Sequence, residues 1–102
     1  MEQIRARKQR EIAVARRNLI SHLRAHPCVD CGEADIEVLE FDHQRDKTHN
    51  VGYLVHGGYG WRRVKEEIDK CEVVCANCHR RRTLRQQNSY RLRPDDGEWL
   101  DV

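Results

Sequence analysis

Two Cys-x-x-Cys pairs, Cys28/Cys31 and Cys75/Cys78, constrain this chain more than any other feature. A CxxC turn can direct two sulfurs at one metal ion, and two such turns complete a tetrahedral zinc shell. The 43 residues between the pairs exceed the short spacing of a simple finger, so a functional insert is expected between the halves of the site. Four free thiols, two disulfides or a rubredoxin-like iron site fit the same spacing. No apolar run is long enough to cross a bilayer and the N-terminus lacks a secretory pattern, so the expected compartment is cytoplasmic. Paired cysteines there read as metal ligands before disulfides. The fifth cysteine, Cys71, reads as a small buried hydrophobe.

Composition explains why a metal staple would matter. The chain has 102 residues, 38% of them hydrophobic and 35% charged. One small domain with a thin core is expected, and zinc would then contribute folding free energy directly.

The pattern along the chain suggests an α+β fold. Residues 2–25 lack Gly and Pro and carry Ile12, Leu19 and Leu23 at helical spacing. Pro27 ends this basic helix. Residues 36–41 mix β-branched and aromatic side chains and read as a strand running into Asp42-His43. Residues 44–60, with Gly52, Gly57, Gly58 and Gly60, read as a loop. Trp61, Val64 and Ile68 predict a helix over 61–69, and Val73-Val74 is a short apolar piece entering the second cysteine pair. A basic helix is expected from His79 to about Asn88. The division is a basic helix over 1–26, a central domain over 27–88 and a tail over 89–102, where Trp99 and Leu100 are candidates to dock on the body.

Net charge is only +2, but the arginines cluster. Arg16 and Arg17 belong to the first helix, and Arg80, Arg81, Arg82 and Arg85 to the last. Charge runs alone usually mark solvated helix faces, yet this clustering also matches a phosphate-backbone binder. Tyr53, Tyr59 and Trp61 are expected to pack the insert against the core rather than to stack on bases. His49 and His56 read as surface residues.

The order Cys28-x-x-Cys31, Phe41-Asp42-His43 and Cys75-Ala-Asn77-Cys78-His79-Arg80-Arg81 resembles the HNH endonuclease family over residues 28 to about 83. That resemblance implies a small ββα-metal, treble-clef-like domain stapled by a zinc site of four cysteines. It implies a metal-dependent endonuclease that hydrolyses DNA phosphodiester bonds. His43 would be the general base, and Asp42 and His79 would ligate a catalytic Mg²⁺ or Mn²⁺. The residue chemistry agrees: an imidazole titrates near neutrality, and a divalent cation stabilises charge on the phosphoryl oxygens.

One position departs from the family pattern. Lys70 stands where an Asn is usual, about five residues before the second CxxC, so Asn77 is carried as a candidate for the middle motif residue. Lys70 could instead touch a phosphate. The partner expected is DNA, gripped by Arg80, Arg81, Arg82, Arg85, Arg16 and Arg17 with low sequence specificity. No membrane association is expected, and a homodimer is left open. The rival readings are a non-catalytic zinc-ribbon-like nucleic-acid-binding module and a rubredoxin-like redox protein.

Overall fold

The computed structural model describes residues 2–92 and is a small α+β arrangement of four α-helices and one two-stranded antiparallel sheet. Helix α1 spans Glu2–Ala25 and strand β1 spans Leu39–His43. Helices α2 (Val51–His56) and α3 (Trp61–Ile68) follow, then β2 (Cys71–Cys75) and α4 (Ala76–Gln86). Leu39 pairs with Cys75 and His43 with Cys71, so the strands are in register along their whole length. The order β1, β2, α4 therefore forms a hairpin and helix, with α2 and α3 carried on the hairpin connection. Among the described residues no helix is long and apolar enough to cross a membrane.

The first strand begins later than the sequence pattern predicts. The Asp35 carboxylate accepts the Glu37 N–H at 3.0 Å and winds Ile36–Val38 into a 3-10 turn. Pairing starts only at Leu39, because β2 ends opposite it at Cys75.

A larger correction concerns residues 44–60, expected as a loop. Val51, Leu54 and Val55 fall at i, i+3 and i+4, and all three are buried in a helical turn. Gly52 is exposed within α2. An interior helical glycine costs about 1 kcal/mol, while burying a Leu or Val contributes about 1.5–3 kcal/mol, so packing decides the outcome. Gly60, at φ +86°, sets the backbone entering α3, a conformation that side-chain-bearing residues rarely adopt. The final helix begins at Ala76, three residues before the position expected. Cys75 caps it, its sulfur accepting the Cys78 N–H at 3.5 Å. The expected docking of Trp99 and Leu100 lies outside the described residues.

Two buried clusters share the sheet. One gathers Leu23, Leu39, Val73 and Val74 around Cys28, Cys75 and Cys78. The other packs Ala15 of α1 against Val51, Leu54, Val55, Val64 and Ile68. Leu19 and Phe41 touch both clusters and join them.

Candidate metal centre and the two faces of the sheet

The four cysteines predicted as ligands converge. The ligand atoms of Cys28, Cys31, Cys75 and Cys78 all lie within 4.8 Å of one another. Cys31 Sγ and Cys75 Sγ are 3.7 Å apart. Four sulfurs held at about 2.3 Å from a tetrahedral zinc stand about 3.8 Å apart, so the set fits that ion. Local backbone builds each half. In the first knuckle the Gly32 N–H donates to the Cys28 carbonyl at 2.8 Å, and Gly32 adopts φ +84° to close the turn. In the second, the first turn of α4 carries Cys78 back over its own cap, Cys75.

The thiols already differ in acidity. Burial opposes the Cys28 thiolate, but backbone N–H groups of Cys75, Cys31 and Asp30 outweigh it and bring this thiol down to about 6. Burial, reinforced by the neighbouring sulfurs, pushes Cys78 up to about 12. A divalent cation would remove that competition by holding all four as thiolates. The Arg81 guanidinium lies 3.8 Å from Cys78 Sγ, placing a positive charge where thiolate charge would gather. Cys71 stands apart from this set. It is half-buried, donates to the Glu67 carbonyl at 3.4 Å, and is pushed up to about 11, mainly by burial.

Asp42 and His79 meet on the face of the sheet that α4 covers. Asp42 Oδ1 lies 3.5 Å from His79 Nε2. The opposite edge of the His79 ring is fixed, because Nδ1–H donates to Glu40 Oε1 at 2.8 Å. A neutral ring bonded in this way would carry its lone pair on Nε2, the nitrogen nearer Asp42. The second Asp42 oxygen, Oδ2, accepts from Arg82 at 2.8 Å and from Gln44 at 3.1 Å. One carboxylate oxygen and one imidazole nitrogen thus lie side by side, with each side chain bonded at its other polar atom. Adjacent ligands of an octahedral cation stand about 3 Å apart, close to the separation seen here.

His43 takes the opposite direction. Neighbouring strand residues project to opposite faces, and His43 turns toward α3. Its Nε2 lies 2.8 Å from Glu67 Oε2. Among the described residues His43 makes no hydrogen bond or ion pair with Asp42 or His79.

Glu67 is the buried charged residue that sequence reasoning missed. It is 0% exposed and is the one charged side chain buried in the described core. Thr48 donates to it through both hydroxyl (2.7 Å) and N–H (3.2 Å), and Arg63 and Lys70 add 3.2 Å contacts. Burial alone would raise its pKa, but the Thr48, His43 and Lys70 donors hold the carboxyl well below the usual range. The signal was available: Val64, Glu67 and Ile68 share the helix stripe that faces the core, a position a charge occupies only when it is partnered.

The basic candidates separate by burial. Arg82 is not free to meet a phosphate strand. It bonds Asp30 twice, at 2.7 and 2.8 Å, as well as Asp42 and Glu72, and these carboxylates hold its guanidinium charged well beyond the ordinary value. Arg80, Arg81 and Arg85 are exposed along α4, and Arg16 and Arg17 along α1. Lys70 is likewise committed, bridging Glu67 to the Asp46 carbonyl. Asn77 is exposed in the second knuckle and borders a small cavity with Glu33 and Val38.

His49 stacks on Tyr53, and both Tyr53 and Tyr59 are exposed rather than packed on the core as expected. Trp61 alone of the three aromatics packs against the α2–α3 cluster. Compared with protein-family models, curated proteins and solved structures, the chain matches none.

Proposed function

We propose that this chain is a metal-dependent endonuclease of HNH type, hydrolysing DNA phosphodiester bonds on a zinc-stapled ββα scaffold. The observation that carries this reading is the Asp42–His79 pair, 3.5 Å apart, with His79 next in sequence to a zinc ligand. Cys78 would anchor the first turn of α4, so His79 could not drift from Asp42 without disturbing the four-sulfur site. Rigid support of this kind holds metal ligands to a productive geometry.

Asp42 Oδ1 and His79 Nε2 would hold a Mg²⁺ or Mn²⁺ ion, with Glu40 and Arg82 orienting them. When bound, that cation supplies charge stabilisation at the scissile phosphate and its leaving oxygen. The exposed Arg80, Arg81 and Arg85 would hold the phosphate backbone beside it, giving salt-dependent, weakly sequence-selective affinity. The base role expected of His43 would fall to Nδ1, since Nε2 is bonded to Glu67, and would require the ring to reach round to the Asp42–His79 side of the strand.

The orientation of His43 is also the observation that favours a second reading, a non-catalytic zinc-ribbon-like DNA-binding module. Supercoiled plasmid incubated with Mg²⁺ or Mn²⁺ separates the two. Nicking that is abolished by Asp42→Ala and His79→Ala, and reduced by roughly 10²–10⁴-fold in His43→Ala, supports the enzyme. Retained DNA binding with no nicking under either metal supports the module.

A further inference from the structure

The segment expected to be a featureless loop presents an aromatic surface that no catalytic or metal role uses. His49 and Tyr53 are stacked with ring centroids 5.2 Å apart and planes 8° from parallel. Tyr59 closes the group at 5.9 Å from Tyr53 and 6.5 Å from His49. Tyr53 is 54% exposed and Tyr59 51% exposed. Three rings on one surface, open to water at this level, leave π-faces available to a partner.

The chain approaches α1 closely at this point. A Cβ on Gly58 would stand 2.7 Å from the Lys8 side chain, so the glycine lets the lysine stem lie against the turn. A cavity of about 400 Å³ opens between Tyr59 and Gly58 on one side and Arg7 and Lys8 on the other, with Glu11 at its border. Among the described residues neither Arg7 nor Lys8 forms an ion pair, in contrast to Arg63, Lys70 and Arg82. Two cations outside any ion pair, with one carboxylate at the border, beside exposed rings suit a polyanion whose units carry flat apolar faces. That is the chemistry of a single strand with unpaired bases, bound by stacking and by phosphate contacts. Duplex DNA offers the phosphates but keeps its base faces covered.

We propose that Tyr53, Tyr59 and His49, with Arg7 and Lys8, bind single-stranded DNA, the rings stacking on unpaired bases and the cations holding the flanking phosphates. This rests on the DNA-binding part of the nuclease reading and not on its chemistry. The surface is tied to the α3 face of the sheet, because Thr48, the neighbour of His49, is bonded to Glu67.

The test uses the full chain and two fluorescein-labelled oligonucleotides of equal length and charge, oligo(dT) and its abasic counterpart, followed by anisotropy. Wild type is expected to bind oligo(dT) roughly ten-fold more tightly than the abasic strand. The Tyr53→Ala/Tyr59→Ala variant should bind both strands at the abasic level, with an unchanged melting temperature because both side chains lie outside the core. Arg7→Gln/Lys8→Gln should weaken both strands to a similar degree. Equal wild-type affinity for the two strands overturns the proposal, as does a base preference that survives loss of both tyrosines. A base preference in a protein that never nicks plasmid leaves this surface standing and removes the nuclease reading; nicking without base preference does the reverse.

Discussion

The two faces of the β1–β2 sheet carry charge clusters of opposite design, built from consecutive residues of one strand. On the α4 face Asp42 joins Asp30 and Glu72 around a single guanidinium, that of Arg82. On the α3 face His43 joins Thr48, Arg63 and Lys70 around a single carboxylate, that of Glu67. The first is a cation among anions near the surface, with Asp30 a third exposed. The second is an anion among cations in a fully buried position.

The difference teaches where each cluster's energy comes from. Partly exposed pairs are weakened by solvent and are worth little individually. A buried carboxylate with several donors is costly to uncover, because its partners lose their counter-charge. The ion pairs of the α4 face are thus expected to contribute less to stability than the buried Glu67 cluster. The α3 face serves mainly to hold the insert and His43 in place.

Removing the zinc ligands should break this comparison most severely. Structural zinc sites bind with an apparent ~10–16 kcal/mol, comparable to the whole stability of a small domain. Cys78→Ser, or treatment with a strong chelator, is expected to abolish the cooperative thermal transition followed by circular dichroism. Hydrogen exchange sharpens the result: α4 amides should lose protection first, and protection lost simultaneously in α2 and α3 would show that the two faces are one unit.

Glu67→Ala should cost about 3–5 kcal/mol, since it removes the buried counter-charge that Arg63, Lys70, Thr48 and His43 share. Chemical denaturation measures it, and a loss below about 1 kcal/mol would contradict the contrast drawn above. Glu67→Gln keeps the shape and removes the titration. The folded carboxyl lies below its unfolded value, so its contribution is complete above the ordinary carboxylate value and fades as pH falls through and below it. The stability gap between wild type and Glu67→Gln should therefore shrink as pH drops below about 4.

Arg82→Gln is expected to have a smaller effect, about 1–2 kcal/mol, because its partners are partly solvated. The same change removes the brace on Asp42 Oδ2, so Mn²⁺ affinity measured by calorimetry should fall. Rising Mn²⁺ affinity would show that Arg82 competes with the cation for the carboxylate rather than orienting it. Glu40→Gln should be nearly silent in stability, within about 0.5 kcal/mol, since Glu40 is 49% exposed. It should nevertheless reduce Mn²⁺ affinity by roughly ten-fold, through loss of the carboxylate that orients His79.

Much of this was legible along the chain, for identifiable reasons. Helix α1 declared itself by 24 residues without Gly or Pro, ended by Pro27 two residues on. The cysteine pairs declared themselves because a CxxC turn creates its own local geometry. The sequence order only suggested that Asp42 and His79 meet, while the contact itself depends on strand register placing β1 beside α4. Helix α2 was hidden because Gly52 and the glycines after His56 read as loop residues, and only burial of Val51, Leu54 and Val55 outweighs that preference.

By itself, then, the sequence determined the four cysteines able to hold a metal ion and the long basic helix. Both depend on local spacing or on chemical identity. The tertiary structure alone decided that Arg82 and Lys70 are spent inside the protein, that Glu67 lies buried beneath His43, and that Asp42 and His43 leave the strand in opposite directions. Those outcomes depend on which partners long-range packing brings within about 3 Å, where a charge is either neutralised or left free to act.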